Sequence, residues 1–176
     1  MNAARPDVAG LLRAGRLQQV PADPGTARAR LTVAEQHLDT AGRLLAEDLD
    51  LEIAYVALYD AARKAVTAAM LAAGVRATHR GGAHEAVAIW CAQTLGPRSA
   101  AAKKFDALRR RRNRSEYDDL VLSGTDVTID LADANEIVNA AAAIARDLIA
   151  PQRPPLPASR GLGARESGSG RAGVGV

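Results

Sequence analysis

The chain has 176 residues, of which 48% are hydrophobic but only 3% aromatic. Alanine is the commonest residue, with 39 copies, and alanine favours helices whereas aromatic and β-branched residues favour strands. The composition therefore excludes an all-β fold and predicts an all-α protein that is long enough to build its own hydrophobic core.

The positive net charge of the chain comes from its last 26 residues. The whole sequence has 23 basic and 20 acidic side chains, for a formal net charge of +3. Residues 151–176 hold four arginines and one glutamate, so residues 1–150 carry 19 charges of each sign. Because this larger part is neutral, any nucleic-acid site must come from a local cluster of basic residues.

Several classes of protein are disfavoured by what the sequence lacks. It has no run of 18 or more uncharged apolar residues, and its first residues lack a signal-peptide pattern. A single cysteine, Cys91, and three scattered histidines do not match a zinc motif. We therefore expect a cytoplasmic protein with no membrane association, no bound metal and no other cofactor.

The sequence divides into three parts. Residues 1–25 are predicted to form a short helical leader, at 8–19, and a proline-rich turn. Residues 26–150 are predicted to form a helical bundle. Residues 151–176 contain six glycines and four prolines, and we expect disorder there because such a segment cannot bury enough apolar surface to offset its ordering entropy.

Apolar residues recur every three or four positions along residues 26–150, which is the period of an amphipathic helix. Gly74 is predicted to end the second helix, and the segments 74–84 and 123–128 are predicted as connections. Short connections favour an antiparallel bundle of four to five helices. The predicted helices span residues 26–48, 51–73, 83–94, 97 or 99 to 120, and 129–149.

The most unusual segment is LRRRRNRSEYDDL, residues 108–120. On a helical wheel Phe105 and Leu108 define the inward face, and Arg112 and Glu116 fall close to the same direction. Three other arginines point away from this face and can be solvated; these are Arg110, Arg111 and Arg114.

Arg112 and Glu116 have two interpretations. They form an ordinary ion pair along the helix, or Arg112 is held at the edge of a cleft to bind an anion such as phosphate. In the second interpretation Asn113 and Tyr117, on the flank of the same face, place an amide and a phenol beside the guanidinium.

The order Arg112, Asn113 and then Tyr117, on a late helix of an alanine-rich bundle, resembles the HEPN family (higher eukaryote and prokaryote nucleotide-binding). The segments IAYVALYDAARKAVTAAMLAAGVR and GGAHEAVAIW are similar to the first two main helices of bacterial members. The resemblance extends over about residues 27–149. It implies an all-α HEPN-like bundle and a homodimer.

The resemblance also implies an activity, because HEPN ribonucleases cut RNA without metal, using an arginine and a histidine from each of two facing protomers. Arg112 matches that arginine, but Tyr117 stands where the histidine is expected. A phenol has an ordinary pKa near 10 and an imidazole one near 6.5, so a phenol is a poor base at neutral pH. The site predicted from the resemblance has Arg112 and Tyr117 in the catalytic positions, with Asn113, Arg109 and Glu116 as binding residues.

Three functions remain open on these residues. The chain is an RNA-binding or partner-binding HEPN protein of toxin–antitoxin or defence type with weakened or lost cleavage, a metal-independent endoribonuclease toxin, or a non-catalytic helical adaptor. We favour the first. Its expected partners are RNA or a nucleotide, a cognate antitoxin or nucleotidyltransferase, and a second copy of the chain.

The other polar and aromatic candidates have structural interpretations. Trp90 and Cys91 are expected in the core and His37 at the surface. His84 is expected in the first turn of a helix, beside a glycine turn. Tyr55 and Tyr59 are expected to pack in the bundle or to line an interface.

Overall fold

The structure is a computed structural model that describes residues 7–79, 81–117 and 121–150. The predicted all-α bundle is confirmed, and within the described residues a two-stranded sheet accompanies it. Residues 151–176, predicted to be disordered, lie outside the described residues. In chain order the elements are α1 (Val8–Arg13), β1 (Leu17–Gln19), α2 (Pro24–Ala46), α3 (Leu51–Ala72), β2 (Val75–Ala77), α4 (Ala83–Thr94), a 3-10 helix (Ala100–Lys104), α5 (Phe105–Tyr117) and α6 (Gly124–Ile149).

Helix α3 lies at the centre of the bundle, packed between α2 and α6, which also contact each other. Twelve of its 22 residues are buried, and seven of those twelve are alanines. Small side chains at these positions let neighbouring helices approach closely, and so the high alanine content suits a tightly packed helical core. In the described part of the chain, no helix is long and apolar enough to cross a membrane.

Most predicted helices are present, with differences at their ends. The prediction for α4 matches both of its ends, and α3 is followed by Gly74, whose φ is +69°. Helix α2 begins at Pro24, earlier than the predicted residue 26, because the carboxylate of Asp23 caps it; Asp23 Oδ1 accepts the Thr26 N–H at 2.9 Å.

The start of α6 was predicted wrongly. Residues 123–128 were expected to be a connection, but α6 begins at Gly124 because the Ser123 hydroxyl accepts the N–H of Asp126 at 3.1 Å. The predicted fourth helix also differs: it opens as the 3-10 helix and continues as α5, which is described as far as Tyr117. Its predicted end at residue 120 lies outside the described residues.

The two-stranded sheet was not predicted. The leader is helical only over Val8–Arg13, because Gly15 has a φ of +65° and the chain then extends into β1. β1 pairs antiparallel with β2, in the segment expected to be a loop, with Leu17 opposite Ala77 and Gln19 opposite Val75. Strands of three residues are too short to show an alternating pattern, and their pairing joins segments far apart in the sequence.

Candidate functional site

The arginine-rich helix α5 is anchored to the bundle by its first turns. Phe105 and Leu108 are buried, and the Phe105 ring stacks on Tyr59 of α3 with 5.8 Å between ring centroids. The last two turns of α5, by contrast, contain exposed and half-buried residues only. The part of α5 that carries the predicted site is therefore held at the surface by a rigid base.

Arg109 and Arg110 share one carboxylate. Arg109 Nε lies 2.8 Å from Asp106 Oδ1, and Arg110 Nη1 lies 2.8 Å from Asp106 Oδ2. The Arg110 side chain is 65% exposed, as predicted, whereas the Arg109 side chain is only 22% exposed. Asp106 thus offsets part of the charge that makes this segment conspicuous in the sequence.

Arg111 keeps 38% of its side chain exposed, as the sequence allowed, but it also has a buried partner that was not predicted. Its Nη1 lies 2.8 Å from Oδ2 of Asp130 on α6, and the hydroxyl of Tyr55 on α3 donates to the same oxygen at 2.7 Å. Asp130 is only 8% exposed. Burial, followed by the hydrogen bond to Asp130, raises the pKa of Tyr55 well above its usual range, and so the phenol stays neutral. We call Tyr55, Asp130 and Arg111 the buried triad.

The sequence holds a signal for the buried triad. Asp130 occupies an apolar position of α6, because Val127, Ala134 and Ile137 are buried at spacings of three, four and seven residues from it. A charged residue in such a stripe needs a buried partner. The sequence does not say which of the neighbouring arginines supplies it.

Arg112 pairs with Glu116 one turn further along α5, which is the ordinary ion pair considered from the sequence. The Arg112 side chain is 27% exposed and that of Glu116 is 41% exposed. Arg112 is therefore half-buried, and its guanidinium meets a partner that is more open to solvent.

Asn113 and Tyr117 complete the predicted site and are both exposed. Tyr117 is 77% exposed, and neither side chain forms a hydrogen bond with another described residue. All three residues lie on the last two turns of α5, but Asn113 and Tyr117 do not join Arg112 in a hydrogen-bonded cluster within the described part of one chain.

The end of the bundle beside the buried triad also exposes apolar side chains. Four large ones, 41–56% exposed, lie at the α2–α3 corner and on the first turns of α3 and α6: Leu49, Ile53, Val56 and Ile129. The hydrogen bond between Tyr55 and Asp130 places the first turns of α3 and α6 side by side. We call these four residues the apolar rim.

The remaining candidates have the structural roles that the sequence predicted, with one exception. Trp90 and Cys91 are buried, and burial raises the pKa of the Cys91 thiol to about 12. His84 lies in the first turn of α4, after Gly82 with its φ of +84°. The exception is His37, which is half-buried, with Nδ1 4.0 Å from Asp60 Oδ2, rather than fully at the surface.

Comparison with known proteins gives one family. The sequence model of the HEPN domain matches residues 27–148, which is more than half of the chain. No match was found among curated proteins or among solved structures.

Proposed function

We propose, from the premise that this chain belongs to the HEPN family, that it binds RNA through the last two turns of α5. We further propose that it works in a toxin–antitoxin or defence system with weakened or lost cleavage. Membership of the HEPN family supports RNA binding or a nuclease-like function.

The observation that carries the proposal is the setting of Arg112. Its side chain is only 27% exposed, its guanidinium is paired with Glu116, and the side chain of Glu116 is exposed. A solvent-exposed ion pair contributes only about 0–1 kcal/mol, and an RNA phosphate can take over the guanidinium at little cost. The planar fork of arginine donors then matches two phosphate oxygens.

The surroundings of Tyr117 support weak or lost cleavage. Among the described residues, no basic side chain forms a hydrogen bond with its hydroxyl, and the side chain is largely exposed. A catalytic base needs a neighbour that favours its reactive form. In this proposal the Tyr117 hydroxyl donates a hydrogen bond to RNA rather than accepting a proton from it.

A homodimer is part of the same proposal. The apolar rim lies at the end of the bundle from which α5 presents Arg112, and a second copy covering the rim would bring two such helices near each other. A cognate antitoxin or nucleotidyltransferase is proposed as the further protein partner.

The first experiment compares two arginines of the same helix. Binding of a fluorescent mixed-sequence single-stranded RNA is measured by anisotropy for the wild type, Arg112→Ala and Arg110→Ala. We expect Arg112→Ala to weaken binding by at least about tenfold, and Arg110→Ala by less than about threefold, because an exposed charge contributes mainly a screened term. Equal effects of the two changes would favour the helical adaptor.

The second experiment tests the chemistry at Tyr117. We expect Tyr117→His to create or increase RNA cleavage in the presence of EDTA, since imidazole titrates near neutral pH. The wild type and Tyr117→Phe serve as controls and should leave the RNA intact. Cleavage by the wild type that disappears in Tyr117→Phe would instead establish an active ribonuclease with a tyrosine in its site.

A further inference from the structure

A separate cavity of about 460 Å³ lies between α2, α3, the two-stranded sheet and the start of α4. Cavities of a few hundred Å³ are of the size that holds small organic ligands. The residues of α3 that line it begin at Arg63, eight positions after Tyr55, which is about 12 Å along the helix axis. The cavity is thus displaced along α3 from the buried triad and from the apolar rim.

Two arginines that line the cavity have no carboxylate partner among the residues that the structure describes. Arg30 Nη1 donates a hydrogen bond to the Thr67 hydroxyl at 3.2 Å. Arg76 donates to the side-chain oxygen of Gln18 at 3.0 and 3.1 Å, once the Gln18 amide is turned so that its oxygen faces the guanidinium. Both partners are neutral, and within the described residues neither arginine forms an ion pair. Their charges are therefore positioned but not neutralised.

The other charged residues at the cavity offset the positive charge of Arg30 and Arg76 only in part. Arg63 also lines it, but its guanidinium is paired with Asp60 at 3.0 Å. Asp23 is the only acidic residue among those lining the cavity, and hydrogen bonds from Thr26, more than the charge of Arg30, lower its pKa. The cavity consequently keeps an excess of positive charge.

The remaining lining supplies polar side chains and an apolar floor. His79 and His84 face the cavity, and neither forms a hydrogen bond or ion pair with another described residue. The floor comes from the apolar side chains Met70, Leu71, Val75 and Val87.

The wall near α4 is held in place by Arg16. Its Nη2 donates to the Gly82 carbonyl at 2.9 Å and lies 2.6 Å from Glu85 Oε2. The start of α4 is thereby tied to the residue just before β1. The cavity is accordingly built into the fold, since two of its walls are joined by these bonds.

We propose that this cavity binds a small organic phosphate monoester, with Arg30 and Arg76 on the phosphate and the organic group against the apolar floor. Guanidinium groups without carboxylate partners favour a dianionic phosphate. The apolar floor favours a ligand with an organic body over inorganic phosphate. This site is independent of the RNA contact proposed for Arg112.

Isothermal titration of the full chain with four probes tests the ligand class. The probes are adenosine 5′-monophosphate, ribose 5-phosphate, inorganic phosphate and adenosine. We expect the nucleoside monophosphate to bind at least about tenfold more tightly than inorganic phosphate, with ribose 5-phosphate between them and no detectable binding of adenosine. Binding of adenosine as tight as that of its monophosphate, or binding of none of the four, would overturn the proposal.

Matched variants then locate the site. Arg30→Ala and Arg76→Ala should each weaken binding of adenosine 5′-monophosphate by at least about tenfold. Arg28→Ala is the control, because Arg28 is also exposed on α2 and forms no ion pair with another described residue, but it borders a different surface region. This change should alter binding by less than about twofold. Asp23→Asn should tighten binding, since asparagine still caps α2 but carries no charge.

The two proposed sites are distinguished by measuring both RNA binding and monophosphate binding for each variant. Arg30→Ala should leave RNA binding unchanged, and Arg112→Ala should leave binding of the monophosphate unchanged. Circular dichroism melting of each variant checks that the fold is retained. Two results would show that the cavity is not a separate small-ligand site. One is that Arg28→Ala weakens binding of the monophosphate as much as Arg30→Ala does. The other is that Arg30→Ala weakens RNA binding as much as Arg112→Ala does.

Discussion

Three helices meet at the side chain of Asp130 on α6. The Tyr55 hydroxyl of α3 donates to Oδ2 of Asp130, and Arg111 of α5 binds the same carboxylate oxygen. Asp130 is largely removed from water, and a buried carboxylate is costly to leave short of partners. The buried triad therefore fixes α5 against α3 and α6, and it orients the helix that carries Arg112.

Tyr55→Phe should lower the free energy of unfolding at neutral pH by about 1–3 kcal/mol, because Asp130 loses a donor while the ring still fills its space. Urea unfolding followed by circular dichroism measures this. Tyr59→Phe is the control: Tyr59 is also buried on α3, but its hydroxyl forms no hydrogen bond with another described residue. An equal loss in both variants would show that the hydrogen bond to Asp130 contributes nothing.

The same residue predicts a pH dependence. The pKa of Tyr55 is raised in the folded state, so above pH 10 the unfolded chain releases a proton that the folded chain keeps. The stabilisation is thus complete below pH 10 and is lost as the pH rises further, at up to about 1.4 kcal/mol per pH unit for one group. Between pH 10 and 11 the wild type should lose stability faster than Tyr55→Phe; parallel curves would contradict this.

At the scale of the elements, Gly74 joins α3 to β2. Its φ is +69°, and a Cβ at this position would lie 2.9 Å from the Val20 carbonyl oxygen. The approach is close because Val20 N–H donates to the Gly74 carbonyl at 2.9 Å, beyond the last pair of the sheet. A residue with a side chain would be strained both by the backbone conformation and by this contact.

Gly74→Ala should therefore destabilise the protein by about 1–2 kcal/mol or more. The matched control is Gly42→Ala in α2, where a Cβ meets nothing within 4 Å. That change should stabilise the protein by about 0.5–1 kcal/mol, because alanine loses less conformational freedom in a helix than glycine does. Thermal melting of both variants measures the two effects, and opposite signs are the expected result.

At the scale of the whole molecule, the apolar rim predicts association. We expect light scattering at micromolar concentration to give the mass of a homodimer, and Ile53→Glu to give a monomer, because a charge in the centre of an apolar contact is costly. Leu148→Glu is the control: Leu148 is comparably exposed, at 52% against 56% for Ile53, but lies near the far end of α6. A monomeric wild type, or dissociation by both changes, would contradict an interface at the rim.

Helix content was predictable because it depends on local properties. The alanine-rich composition and the 3.6-residue period are properties of neighbouring residues. Together these two properties predict both ends of α4, most of α3 and the end of α3 before Gly74. Helix ends were less predictable where several polar residues compete as caps. Asp23 caps α2 before the predicted start at residue 26, and Ser123 caps α6 before the predicted start at residue 129.

The tertiary structure decided what depends on pairs of residues distant in sequence. The sheet between β1 and β2 requires two short segments to meet, and Arg111 has a buried partner because α6 places Asp130 beside it. Arg112 and Glu116 were predictable as a pair because they are one helical turn apart, whereas the convergence of Arg30, Arg63 and Arg76 on one cavity was not. A helix period follows from the backbone alone, but which charges face each other follows from how whole helices pack.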